Sequence, residues 1–283
     1  MLLIRDAETL RRWVEAWRVA GRLIGFVPTM GALHEGHLAL VRRAKAECER
    51  VIVSIFVNPL QFGPGEDFER YPRPFDRDRR LCEKEGVDLL YHGRVEDLYP
   101  PDFQTKVSVG ELTKVLCGPF RPGHFDGVCT VVTKLLLRTM PHIAYFGRKD
   151  YQQAVVIRRM VRDLDIPCEI RIVDTVRDSD GLALSSRNAY LSAEDRKAAL
   201  CLWRGLSEAL TLFRAGERRV GELRRACCAI IKAEPRAKLQ YADIVDAETL
   251  RVLSDGETIK SPAVFAVAAF VGPARLIDNV LLQ

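Results

Sequence analysis

Hydrophobic and polar positions follow two alternating patterns over roughly the first 175 residues. From Ala7 to Val19, the residues Leu10, Val14 and Trp17 recur at helical spacing and predict a helix with one inner face. Arg22 to Val27 reads as an apolar strand that turns at Pro28 and Gly31. A helix leaving from about Gly36 carries Leu38, Val41, Ala44 and Cys48 on one side. Val51 to Val57 (Val-Ile-Val-Ser-Ile-Phe-Val) is too uniformly apolar for a strand with one wet face and suits a parallel strand buried on both sides. These pieces predict a βαβ unit with a glycine-bearing loop at the start of its helix. A helix over Asp76 to Glu85, a strand over Val87 to Tyr91, a helix over Val128 to Arg138 and a strand over Ile143 to Phe146 continue the alternation. Gly147 to Asp150 then opens a helix reaching Leu164, and Ile170 to Val173 is the next strand.

Such alternation predicts an α/β fold, a Rossmann-like doubly wound parallel sheet, over residues 1–175. The pattern then changes. Ser192-Ala193-Glu194-Asp195 resembles a capping box and starts a long helix that ends near Gly216. A second helix covers Val220 to Lys232. Strand-like segments follow at Leu239 to Val245, Val264 to Val271 and Arg275 to Leu282. Residues 176–283 therefore read as a smaller α+β C-terminal domain.

Composition narrows the partners. The chain has 283 residues, 48% hydrophobic and 29% charged, as in soluble globular proteins. A net charge of +5 helps attract a polyanion, but no Lys/Arg block or aromatic-basic array marks a nucleic-acid footprint. Ala263 to Val271, the longest apolar run, is far too short to span a bilayer, and the N-terminus turns charged too early for a signal sequence. The eight cysteines form no C-x-x-C pair, which predicts reduced thiols and a cytoplasmic location.

Three loops carry candidate chemistry. Met30 to His37 (Met-Gly-Ala-Leu-His-Glu-Gly-His) lies at a helix start, where unpaired N–H groups and the helix dipole favour an anion. His34 and His37, three residues apart, can face one ligand, and Gly31 and Gly36 leave room for a phosphate chain. No Walker loop, dinucleotide glycine loop or zincin spacing is present. The plainer reading of the pair is two surface histidines at a helix start. At Lys149-Asp150, the lysine can neutralise a phosphate, and the aspartate suits either a ribose diol or a helix cap. At Ser185-Ser186-Arg187, a guanidinium stands beside two hydroxyls and can hold two oxygens in a fork. A Gly/Pro-rich loop from Asn58 to Gly65 leaves the C-terminal end of a buried strand, where ligands of open α/β sheets bind. It reads as a connector or as a flap over a site.

Seven segments in one order resemble the pantothenate synthetase (pantoate–β-alanine ligase) family, of the nucleotidyltransferase superfamily that includes class I aminoacyl-tRNA synthetases. They are Val27 to His37, Phe56 to Phe62, Tyr71-Pro72-Arg73, Arg121 to Phe125, Tyr145 to Gln153, Leu184 to Asn188 and Arg275 to Asn279. The resemblance covers nearly the whole chain. It implies ATP-dependent condensation of (R)-pantoate with β-alanine through pantoyl adenylate. By the same resemblance, Met30, Gly31, Ala32, Leu33, His34, Glu35, Gly36 and His37 hold ATP, and His37 is the catalytic histidine, assisted by His34, Lys149 and Arg187. Gly147, Arg148, Lys149, Asp150, Val176, Leu184, Ser185, Ser186 and Arg187 complete the nucleotide contacts. Gln61 and Gln153 bind pantoate, Asp78 lies near Mg²⁺, and the family is a homodimer whose small C-terminal domain acts as a lid. The chain departs from the family at Arg148, where Glu or Gln is common, and at Leu184, where Met is usual. Another adenylyl- or cytidylyltransferase of the same superfamily is the nearest alternative. A non-catalytic nucleotide- or RNA-binding module is the alternative of a different class.

Overall fold

The computed structural model describes all 283 residues. Its elements are, in chain order, β1 (Leu2–Ile4), α1 (Ala7–Val19), β2 (Ile24–Thr29), α2 (Glu35–Glu47), β3 (Arg50–Ile55), α3 (Phe75–Lys84), β4 (Leu89–Tyr91) and α4 (Val95–Leu98). Then come α5 (His124–Thr139), β5 (Ile143–Gly147), α6 (Tyr151–Asp163), β6 (Glu169–Val173), α7 (Ala193–Arg214) and α8 (Val220–Lys232). The last three are β7 (Ala237–Asp246), β8 (Ala263–Val271) and β9 (Ala274–Leu282). Two units result. The first holds Met1–Thr113, Gly118–Arg148 and Gln153–Asp174; the second holds Lys114–Cys117, Lys149–Gln152 and Thr175–Gln283.

In the first unit six strands lie in the order β1-β4-β3-β2-β5-β6, every neighbouring pair parallel. The chain winds outward from β2 through β3 to β4, then returns to place β5 on the other side of β2. The strand order reverses there, and in open parallel sheets ligands bind at the carboxyl ends of the strands flanking that point. The loops at those two ends carry His34 and Gly147. Ile24, Phe26 and Val27 of β2 and Val51, Ile52 and Val53 of β3 are completely buried, as a strand covered on both faces requires. Helix α2 seals one face with Leu40, Val41 and Ala44, which cluster with Val53, Leu90 and Tyr145. Leu40 and Val41 each contribute about 1.5–3 kcal/mol by leaving water.

Three of the differences from the sequence reading have a local reason. β2 continues through Pro28, which lies opposite Ser54 of β3. Pairing with β5 involves only Gly25 and Phe26, so at Pro28 the far side of β2 is already an edge, where a residue without an N–H is tolerated. Helix α5 begins at His124 rather than Val128, because Gly123 takes the left-handed conformation (φ 78°) and turns the loop directly into it. β1 has only three residues, too few to display a period, and is recruited by pairing with β4.

In the second unit β7, β8 and β9 form an antiparallel sheet in that order. Leu202, Leu206 and Ile231 of α7 and α8 pack with Ile244, Phe265 and Val267 of the sheet. The two short insertions, unread in the sequence, are tied to this unit by side chains. Gln152 accepts from the Cys117 amide (2.9 Å) and donates to the Val115 carbonyl (2.7 Å), while the Tyr151 hydroxyl donates to Ala247 O (2.7 Å). All eight cysteines are free thiols, and burial pushes those of Cys82 and Cys129 up to about 12. Those two behave as small hydrophobes rather than nucleophiles. No helix is long and apolar enough to cross a membrane.

Candidate active site

The loop after β2 is a closed set of hydrogen bonds. The Thr29 hydroxyl donates to Ser54 O (2.7 Å) and accepts from Gly31 N (3.1 Å). Gly31 and Ala32 both have positive φ (81° and 50°), and this strained turn is held by Asp78 from the first turn of α3. One Asp78 oxygen accepts from Ala32 N (2.6 Å) and the other from Leu33 N (2.8 Å). Asp78 is almost wholly buried, and burial pushes its carboxyl above the usual range, opposed by those two amides. At the start of α2 the histidines cap each other's turn. His34 Nδ1 accepts from Gly36 N (3.2 Å), and His37 Nδ1 accepts from His34 N (3.4 Å). An amide can only donate, so each neutral ring carries its proton on Nε2, the nitrogen farther from the backbone. The ring centroids are 4.1 Å apart. Two imidazoles side by side thus present N–H donors suited to an anion.

Gln61, in a 3₁₀ turn after β3, is held from four directions. Its amide nitrogen contacts Met30 Sδ at 2.8 Å, at the root of the histidine loop. Its amide oxygen accepts from Asn58 Nδ2 (3.1 Å), and Asn58 is fixed in turn by Gly127 O (3.0 Å) and the Tyr99 hydroxyl (2.8 Å). The Gln61 carbonyl accepts from His124 Nδ1 (2.8 Å) and from Arg121 (3.2 Å). A carbonyl cannot donate, so His124 holds its proton on Nδ1 and accepts from Arg121 through Nε2 (2.9 Å). Arg121 also forks onto Glu66 (2.8 and 2.6 Å), anchoring the Gly/Pro-rich loop. Burial pushes Glu66 up, but the Arg121 charge and hydrogen bonds bring it below the usual carboxylate range. Gly127 lets α5 approach this turn: a Cβ there would sit 2.2 Å from Leu60 O. Gln153 lies half-buried in the first turn of α6.

In the second unit, Lys149 and Asp150 occupy a 3₁₀ turn, with Lys149 Nζ 3.8 Å from Asp150 and the lysine side chain largely buried. Val176 O accepts from Leu184 N (3.1 Å), closing a hairpin that runs into Ser185. Ser185 caps the turn Ser186–Tyr190 by accepting from Arg187 N (3.3 Å). Val176 and residues 184–187 are all half-buried.

A family model described as pantoate-beta-alanine ligase matches residues 2–281. A pantothenate synthetase of Thermotoga neapolitana is 54% identical over 282 residues, with 100% of both chains covered. The chain belongs to the pantoate–β-alanine ligase family. The crystal structure of pantothenate synthetase from Thermus thermophilus is similar at a TM-score of 0.92 and 49% identity, covering 99% of each chain. A pantoate-beta-alanine ligase of Francisella tularensis, solved with beta-gamma ATP and beta-alanine, has a TM-score of 0.80 and 33% identity, covering 99% of this chain and 97% of that one.

Two of the expected groups already have partners within the loop. The amides of residues 31–34 and 36, expected to meet a phosphate, already donate within the loop. The imidazole Nε2–H groups are a further kind of donor that suits an anion. Asp78, expected near Mg²⁺, has both oxygens engaged by amides and works as the clamp of a strained loop. Arg148, the family departure, pairs with Asp174 at 2.5 Å. Asn58, Tyr99, Glu66, Arg121 and His124 were missed as a group supporting Gln61. The spacing Arg-x-x-His ahead of a helix was their visible trace. Asp78→Asn tests the clamp: one amide would face an NH₂ group, and an unsatisfied buried donor costs about 1–3 kcal/mol. The expected result is a lowered Tm together with a raised KM for ATP, read by calorimetry and initial rates.

Proposed function

We propose that this member of the family condenses (R)-pantoate with β-alanine at the expense of ATP, giving pantothenate, AMP and diphosphate. The observation that carries the reading is the Gln61 amide, clamped on both sides and set 2.8 Å from Met30 at the root of the histidine loop. A neutral donor–acceptor group suits pantoate's hydroxyl and carboxylate, and its contact with Met30 supports a carboxylate held beside a nucleotide on that loop. Gln153 serves the same substrate. ATP is assigned to residues 30–37 and 147–150, Val176 and residues 184–187.

A carboxylate oxygen of pantoate attacks the α-phosphorus, the bond to the bridging oxygen breaks, and diphosphate leaves. His34 and His37 donate Nε2–H bonds to the phosphates, and Lys149 and Arg187 neutralise the charge that develops, so catalysis is mainly positioning and electrostatics. The amine of β-alanine then attacks the acyl carbon, the carbon–oxygen bond to AMP breaks, and the amine loses a proton. No group of three or more His, Cys, Asp or Glu side chains is arranged to hold a metal ion. Mg²⁺ belongs to the proposal as an ion carried on the triphosphate with Asp78 near it, which suits its preference for phosphate oxygens and retained waters. A homodimer and a cytoplasmic setting complete the proposal, the dimer to be read by sedimentation.

Mass spectrometry of products from ATP, Mg²⁺, pantoate and β-alanine tests the reading. Pantothenate and AMP in equal amounts are expected; turnover without pantothenate would return the chain to the other nucleotidyltransferases.

A further inference from the structure

The segment Arg275 to Asn279 has no part in the chemistry above, yet it contains two of the few buried polar side chains of the second unit. Asp278 and Asn279 lie in β9 and are 4% and 5% exposed. Successive residues of a strand point to opposite faces, so the two reach different neighbours.

Asp278 shares the face of Leu276 and Val280, which pack into the apolar cluster with α7 and α8. Its carboxylate takes both arms of Arg177 (2.6 and 2.8 Å) and also accepts from Asn279 N (2.8 Å). The guanidinium lies 3.8 Å over the Trp203 ring and donates to Gly181 O at 3.0 Å. Arg177 follows Val176 and pairs across the hairpin with Ala183, the residue before Leu184. The hairpin assigned to the nucleotide is thus braced at its middle by one planar, bidentate ion pair. On the other face, Asn279 Nδ2 donates to Lys149 O at 2.9 Å. That bond fixes the backbone from which the Lys149 side chain extends.

We propose that Asp278 and Asn279 are positioning residues for ATP, which neither would touch. Asp278 holds the Val176–Leu184 hairpin through Arg177, and Asn279 holds Lys149 through its carbonyl. One dipeptide on the last strand thereby fixes the relative placement of two nucleotide-binding segments. The inference rests on the assignment of ATP to those segments.

The test uses the full chain and ATP binding by calorimetry without pantoate or β-alanine, followed by steady-state kinetics. Asn279→Ala removes the Lys149 bond, and Asn279→Asp sets an acceptor against an acceptor at nearly constant shape. Both should raise the Kd and KM for ATP about tenfold, the equivalent of roughly one charge-free hydrogen bond with its desolvated partner. The pantoate KM should stay close to wild type, and Tm should fall by no more than the loss of one buried hydrogen bond accounts for. Arg177→Lys, which cannot form the fork, should behave alike; if it fails to fold, the Asn279 pair still decides. An unchanged ATP affinity in both Asn279 variants would overturn the inference, as would equal losses for ATP and pantoate accompanied by a fall in Tm. Failure of the wild-type chain to bind ATP would overturn the functional reading itself.

Discussion

Replacement of His37 by alanine is expected to lower turnover by about 10²–10³, the usual effect of removing one donor aimed at developing charge. The structure separates this effect from a loss of fold. His37 does two things: its Nδ1 accepts from His34 N at 3.4 Å, and its ring proton stands on Nε2. Alanine removes both, and loss of an N-terminal capping contact costs about 0.5–2 kcal/mol. Asparagine at the same position restores an acceptor close to the place of Nδ1 but has nothing at Nε2. His37→Asn should therefore recover most of the stability and none of the lost rate. Urea unfolding and single-turnover kinetics on both variants give the two readouts. A His37→Asn enzyme with near-normal turnover would remove His37 from the phosphate chemistry and leave it a cap.

How much of this was legible in the sequence depends on how local the cause was. α1 and α8 run over Ala7–Val19 and Val220–Lys232, as their periodicity indicated, because an amphipathic face is written in neighbouring residues. The parallel sheet was legible from the uniformly apolar run Val51 to Val57, of which Val51 to Ile55 are buried. The start of α5 was not, since the left-handed Gly123 resembles any loop glycine until its φ is known. The histidine loop was visible as a candidate site, but the partners of its amides were not. Asp78 lies 45 and 46 residues from the amides it accepts, and no pattern along the chain announces such a partner. The same holds for His124, 63 residues from the Gln61 carbonyl it clamps. Side chains that hold a site together across the sheet leave only isolated polar letters in the sequence.

The order of bond-making gives the other large effect, an all-or-none one. With pantoate present and β-alanine absent, labelled diphosphate should exchange into ATP; with pantoate omitted, it should not. Adenylation needs only the nucleotide and the carboxylate, and Gln61, the glutamine proposed for pantoate, is already fixed before any amine arrives. Asn58 and Met30 hold the Gln61 side chain, and His124 and Arg121 hold its carbonyl. The first half-reaction therefore requires no ordering of Gln61 by β-alanine, and reversal of that half-reaction is what exchange measures. Attack on the γ-phosphorus would instead give an acyl phosphate and ADP, with no diphosphate to exchange. That route calls for a loop whose backbone amides cradle the β- and γ-phosphates. Here the amides of Gly31, Ala32 and Leu33 are committed to Thr29 and Asp78, and the proposed function gives the phosphates to imidazole donors. ADP as the nucleotide product, or exchange that needs β-alanine, would refute the adenylate route and the role given to the clamped Gln61.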